Sequence, residues 1–364
     1  MTDIDYLIVG SGLTGAVIGR ALSDAGREVL IVDRRSHAGG NVHDHTHASG
    51  IRIHTYGPHY FRTSSEKIWE FVNRFSPFHP YEACLKSLVD GALENWPVAA
   101  SYIRRTVGEN WSPEFTGKPS NFEEAALSLM PRVVYEKFVK EYNEKQWGVP
   151  AHTLSRELCA RFDVRADDDP RLKPDARYQG IPTEGYAELM RRMLDGIPLQ
   201  LGVDYLRQRD GFRARKLLVF TGPMDEFFGH DLGRLAYRGQ RRSHTYLPDM
   251  EYAQPFAQIN APMHSQGPHI RTLEWKRMME PERASRIHGT VLTTETPFTP
   301  ENPGDYEYPF PDAANAALYK QYRERADGIE RVLICGRLGD YRYYDMDQAI
   351  GRAMMLAEKI LAHG

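Results

Sequence analysis

The chain begins with an apolar run, Tyr6-Leu7-Ile8-Val9, that passes directly into Gly10-Ser11-Gly12-Leu13-Thr14-Gly15 and, one helix length later, into Val29-Leu30-Ile31-Val32-Asp33. Strand, GxGxxG turn, helix and second strand in that order constrain the fold more than any other feature: they describe a parallel βαβ unit of Rossmann type. The physical demand is that of an adenine dinucleotide. Gly10, Gly12 and Gly15 let backbone approach a pyrophosphate, the helix N-terminus supplies partial positive charge, and a carboxylate at the end of the second strand accepts ribose hydroxyls. Asp33, 18 positions after Gly15, is the candidate for that last role.

The glycines alone do not separate FAD from NAD, because both use this turn. The next residues do more. Arg34-Arg35-Ser36-His37-Ala38-Gly39-Gly40-Asn41 carries a second glycine pair and resembles the second glycine motif of FAD proteins of the glutathione-reductase type. Near the C-terminus, Val332-Leu333-Ile334-Cys335-Gly336-Arg337-Leu338-Gly339-Asp340 reads as a strand entering a glycine turn, followed by a helix over 345–362. These two pieces of context favour FAD over NAD.

Composition sets bounds. At 364 residues, with 41% hydrophobic and 26% charged residues, the chain is long enough for two or three globular domains. A formal charge of −3 argues against a general polyanion binder, so nucleic acid is not expected and an anionic ligand must be met by a local arginine cluster. Cys84, Cys159 and Cys335 are scattered without metal spacing, no leader precedes the first strand, and no apolar run approaches a membrane span. A cytoplasmic, reduced protein with no membrane insertion is expected.

Along the chain, residues 51–63 read as strand and loop, 65–75 as helix, and 85–98 as a hairpin turning at Asp90-Gly91. Residues 120–147 are helical, opened by a capping box of Ser120 with Glu123 and restarted at Pro131. The polar stretch 163–178, broken by Pro170 and Pro174, reads as a surface linker or a lid. A helix over 185–194 and a strand at Leu217-Leu218-Val219-Phe220 return to the first domain, and 234–300 alternates short strands and turns as an antiparallel sheet does.

Candidate site residues are weak when taken singly. Val134, Phe138 and Tyr142 recur every four residues with Trp147 beyond, a pattern that serves either as a core stripe or as a platform for a stacked base. Arg165 and Arg271 each have the planar fork that suits a pyrophosphate. Tyr308 and Tyr343 offer hydroxyl donors. His43, His45 and His47 alternate without a partner motif, so no metal site is assigned. GxSxG, HExxH, Walker and kinase signatures are absent, which directs attention to the cofactor as the reactive group.

Taken in order, several segments resemble the UDP-galactopyranose mutase family over nearly the whole chain. They are the opening GSGLTG, Gly39-Gly40-Asn41, Tyr56-Gly57-Pro58-His59, Asn95 with Pro97, Tyr135-Glu136-Lys137-Phe138 through Lys145-Gln146-Trp147, Val164-Arg165, Gly180-Ile181-Pro182 with Gly185-Tyr186, and Thr221-Gly222-Pro223. Arg271 with Glu274, Tyr308-Pro309, and Gly336-Arg337-Leu338-Gly339 through Tyr343-Tyr344-Asp345-Met346 complete the series.

The resemblance implies an α/β fold: a discontinuous FAD-binding domain (1–75, 178–225, 328–364), a helical insertion (101–177) with a mobile lid near 163–177, and an antiparallel sheet domain (76–100, 226–327). It also implies roles. Asn95, Trp96, Phe138, Tyr142 and Trp147 line the nucleotide-sugar side. Arg165 and Arg271 hold the pyrophosphate, and Tyr308 and Tyr343 hydrogen-bond it. His59, Arg62 and Arg337 lie at the flavin, with Arg34, Gly40, Asn41, Asp345 and Met346 on the cofactor side.

The implied chemistry is ring isomerisation of a nucleotide sugar through a reduced-flavin N5-sugar adduct, with an external reductant such as NAD(P)H and a homodimer as the candidate assembly. The chain departs from the family pattern where Arg62 replaces a histidine, where Ala166-Asp167-Asp168-Asp169 replaces lid aromatics, and where Trp96 replaces an aliphatic. A permanent cation at Arg62 would favour anionic reduced flavin or contact a different sugar substituent. These departures keep a mutase for another nucleotide sugar (N-acetylhexosamine, deoxyhexose or heptose type), an FAD oxidase, and a flavin-free nucleotide-sugar binder as alternatives.

Overall fold

The computed structural model describes residues 1–162 and 164–363. Asp163, the first residue of the expected lid, and the terminal Gly364 lie outside the described residues.

The first strand, Thr2–Val9, lies at the centre of a five-stranded parallel sheet, because Tyr6, Leu7 and Ile8 are apolar on both faces and need cover on both. The order across the sheet is Leu199–Leu201, Val29–Asp33, Thr2–Val9, Phe212–Phe220, Val332–Ile334. One face is covered by the helix Leu13–Asp24 packed on the last helix, Met346–His363, and by Tyr186–Met193. The other is covered by Ala313–Asp327, whose Tyr322 and Ala326 join Leu7, Leu30, Phe220 and Ile334 in a second core. That helix, which the expected boundary at 327 places with the sheet domain, thus packs on the dinucleotide unit and also on Leu235 and Tyr237, with Tyr322 hydrogen-bonded to Leu232 and Gly233.

A seven-stranded sheet stands beside this unit in the order Tyr308–Pro309, Tyr237–Leu247, Thr290–Phe298, Arg271–Glu274, Gln258–Asn260, Leu85–Val89, Ala92–Trp96. It is antiparallel except where Gln258–Asn260 runs parallel to Leu85–Val89. The predicted hairpin is present: Asp90 and Gly91 take φ of 51° and 80°, the left-handed pair that a two-residue turn requires.

The helical insertion has its own core. Its cap differs by one residue from the expected one. Asn121 Oδ1 accepts from the Glu124 N–H at 3.0 Å, and Ser120 pairs with Glu124, not Glu123. A larger difference lies in the helix that follows Pro131. Residues Tyr135–Lys140 form a π-helical segment between Arg132–Val134 and Glu141–Trp147. The wider turn takes Tyr142 out of line with Val134 and Phe138.

Candidate active site

The glycine turn is built to a close tolerance. A Cβ on Gly15 would stand 1.9 Å from the Gly10 carbonyl oxygen, and one on Gly40 would stand 2.9 Å from Gly12 Cα. Gly10 itself has φ +104°. Backbone of the two glycine motifs thus forms one cradle, at the head of a cleft with about 1170 Å³ of empty space. Of the residues expected at the cofactor, Gly10, Gly12, Asp33, Arg34, Gly40, Asn41, His59, Arg337 and Met346 line it, whereas Gly15 packs behind the turn. Residues 203–206 and Pro303-Gly304 also line the cleft and carry no sequence signal that marks them.

Asp33 is buried with Oδ2 accepting from both the N–H and the hydroxyl of Ser11 at 2.7 Å, and Oδ1 from the Arg35 N–H at 2.9 Å. These bonds aim the carboxylate along the cleft and leave it lone-pair capacity for a ribose. Arg34 is held by a two-point pair with Glu226, at 2.9 and 2.7 Å. The shape and donor set fit a dinucleotide whose pyrophosphate lies on the glycines.

Beyond His59 the cleft meets a row of charged residues on the seven-stranded sheet. Arg242, Glu295, Arg271, Asn260 and Ser87 are direct cross-strand neighbours and so share one face. Arg242 donates to Glu295 at 2.8 Å and to both oxygens of Glu307 at 2.9 and 2.8 Å, and Arg271 Nε donates to the other oxygen of Glu295. Burial works against charge on Glu295, but Arg271 and Arg242 outweigh it and hold the carboxyl below its usual range. Glu307 has one arginine partner, and there burial wins and raises it. The network fixes the Arg271 guanidinium through its Nε.

Around Arg271 the structure gathers Tyr142, Tyr308, Tyr343 and two further arginines. Burial pushes the Tyr142 hydroxyl up, and Arg271, Tyr308, Glu295 and Arg161 are the charges it feels. Tyr308 and Tyr343 stack with centroids 6.1 Å apart. Arg337 lies 5.8 Å from the Tyr308 ring and 5.1 Å from that of Tyr343, and Arg161 covers Tyr343 at 4.0 Å. Arg161 was missed in the sequence, where its four-residue offset from Arg165 was the available signal. The Arg242–Glu295–Glu307 row was missed as well, since cross-strand register is not written in any one segment.

The remaining predicted residues fall elsewhere. Phe138 and Trp147 are buried in the insertion core, Phe138 against Tyr102 and Trp147 against Phe310, which resolves the aromatic stripe into core residues plus one residue beside Arg271, Tyr142. Trp96 stacks on the same core. Asn95 pairs with Lys86, on the sheet face opposite Arg271, and reaches the Asp168 carbonyl of the lid segment at 3.5 Å. Arg165 donates to the carbonyls of Arg171 and Leu172, at 3.0 and 3.1 Å, and so lies against its own loop in this arrangement. Arg62 is not a free cation: it pairs with Asp345 at 2.9 Å. Asp345 is turned to Arg62 and Tyr343, and Met346 alone of that pair lines the cofactor cleft.

His54 and His59 are held neutral. Burial lowers each to about 3, with neighbouring Arg337 acting in the same direction on His59. Among the described residues no group of His, Cys, Asp or Glu has the arrangement of a metal site.

A dinucleotide cleft that ends at an arginine–tyrosine cluster defines a Rossmann-type enzyme acting on an anionic ligand. Comparison with known proteins gives the family. A family model for UDP-galactopyranose mutase matches residues 137–343, more than half the chain, and one for an NAD(P)-binding Rossmann-like domain matches residues 8–75. A probable UDP-galactopyranose mutase of Klebsiella pneumoniae is 30% identical over 100% of this chain and 96% of its own length. A dTDP-fucopyranose mutase of Escherichia coli is 30% identical over 97% of each. Among solved structures, reduced UDP-galactopyranose mutase superposes with a TM-score of 0.74 at 14% identity, covering 100% of this chain and 95% of that one. A redesigned putrescine oxidase gives 0.61 at 12% identity, covering all of both chains, and at that identity it shows a shared fold. The chain belongs to the UDP-galactopyranose mutase family, a family of isomerases.

Proposed function

We propose that the chain interconverts UDP-galactopyranose and UDP-galactofuranose, with FAD in its reduced form bound along the glycine cleft. The observation that carries this reading is the position of Arg337, which lines the cofactor cleft and also stacks over Tyr308 and Tyr343, so that one guanidinium joins the cofactor and ligand sites. Reduced flavin would supply the electron pair that attacks the anomeric carbon.

The chain's own residues handle the leaving group and the water. Arg271, braced by Glu295, holds the diphosphate of the expelled UDP, each charge-assisted contact contributing about 1.5–3 kcal/mol. Tyr142, Tyr308 and Tyr343 surround the same point with hydroxyl groups. Neutral His54 and His59 add no acid to the site, so the sugar oxygens are not protonated from that side. Arg165 reaches the diphosphate when the lid segment moves and releases the carbonyls of Arg171 and Leu172, a movement that would also keep water from the site.

A second reading, a mutase for a dTDP-deoxyhexose, is favoured by the E. coli relative. An external reductant such as NAD(P)H, a reduced cytoplasmic setting consistent with the unpaired Cys84, Cys159 and Cys335, and a homodimer complete the proposal. Among the described residues no helix is long and apolar enough to cross a membrane. Incubating dithionite-reduced, FAD-loaded protein with UDP-galactofuranose and, separately, with dTDP-fucofuranose, then resolving the products by anion exchange, decides between the two sugars. Conversion of the first alone is expected; conversion of the second alone would replace this reading.

A further inference from the structure

Arg62 stands on the strand Phe61–Thr63 and reaches the start of the last helix, where its Nη2 meets Asp345 Oδ2 at 2.9 Å. The other oxygen, Oδ1, accepts from the Tyr343 hydroxyl at 3.0 Å. The Asp345 backbone is fixed independently: its N–H donates to Gln348 Oε1 at 3.0 Å, and its carbonyl accepts from the Ala349 N–H at 2.9 Å. The Tyr343 ring is fixed too, between Arg161 at 4.0 Å and Arg337 at 5.1 Å and against Tyr308. What stays free is the direction of the phenol proton. A phenol has one, and a carboxylate or a diphosphate can only accept it. Tyr343 therefore cannot donate to a bound diphosphate and to Asp345 at once.

We infer that Arg62 is a positioning residue that neutralises Asp345, so that Tyr343 can release the carboxylate and turn its proton to the diphosphate. This rests on the proposed binding of a nucleoside diphosphate beside Tyr343. Without Arg62, the Asp345 carboxylate keeps the phenol proton. Both members of the ion pair are partly exposed, at 23% and 34%, so the effect is moderate.

The test is calorimetric titration of oxidised, FAD-loaded protein with UDP and with dTDP, the flavin absorbance of each variant confirming cofactor content. Arg62→Met weakens nucleotide binding by about 3- to 10-fold, the range of one lost hydrogen bond, while Arg62→Lys stays near wild type. In the Tyr343→Phe background, Arg62→Met has no further effect. Arg62→Met combined with Asp345→Asn restores affinity, because the neutral pair leaves no charge to hold the proton. A role for Arg62 in direct ligand contact gives the opposite pattern: the two substitutions add, and Asp345→Asn rescues nothing. Either result overturns the inference. Wild-type protein that binds neither nucleotide would instead overturn the functional reading on which it rests.

Discussion

Gly12 and Gly15 sit three residues apart in one motif yet answer to different physical demands. A methyl group on Gly15 would collide with the Gly10 carbonyl at 1.9 Å, so the turn and helix cannot both persist. On Gly12 it would meet only Gly40 Cα, at an ordinary 3.8 Å, with φ −69° and ψ 179° that alanine adopts freely. Gly15→Ala is expected to abolish folding or lower the melting temperature sharply. Gly12→Ala is expected to fold with an unchanged apoprotein melting temperature but to copurify with little flavin, since the methyl lies where the pyrophosphate must approach. Full flavin content in Gly12→Ala would show that the cradle is not the pyrophosphate site.

The π-helical segment explains why part of the site could not be read from the sequence. Val134, Phe138 and Tyr142 have the spacing of one helical face, and with 3.6 residues per turn they would share it. The wider turn over Tyr135–Lys140 instead leaves Phe138 in the core and presents Tyr142 beside Arg271. Phe138→Ala should therefore cost about 3–5 kcal/mol of stability, read by denaturant unfolding, with little change in UDP affinity in the folded protein. Tyr142→Phe should leave stability nearly unchanged and weaken UDP binding by about 2- to 10-fold. The reverse pattern would place the base on Phe138 after all. Elements whose signals are local were legible: the βαβ unit, the Asp90-Gly91 hairpin and the last helix all stand where the residues put them. Partners set by long-range register were not, so Arg242, Glu307 and Arg161 stayed invisible while Arg271 was found. Arg62 and Asp345 were both singled out, but their pairing across 283 positions was not.

At the scale of the whole molecule, buried neutral histidines couple stability to pH. His54 and His59 are lowered to about 3 and His43 to about 4, with burial the leading cause in each. An unfolded chain takes up these protons near pH 6.5, whereas the native state refuses them until far lower pH. Stability is thus full above about pH 6.5 and falls as the pH drops below it. The melting temperature is expected to decline from pH 7 to pH 5, and less steeply in His54→Gln, whose amide oxygen can still accept the His59 N–H. Equal slopes would show that His54 is not the group responsible.

Arg337 joins the cofactor cleft to the arginine–tyrosine cluster, and isomerisation at that junction proceeds with no net redox change. The most direct test is to count turnovers of UDP-galactofuranose per flavin in anaerobic, dithionite-reduced protein freed of excess reductant, with oxidised protein in parallel. Many turnovers with the flavin still reduced at the end, and none from the oxidised protein, are predicted. Turnover by oxidised flavin, or conversion that stops at one product per flavin reoxidised, would contradict the account and place the chain among the oxidases that share its fold.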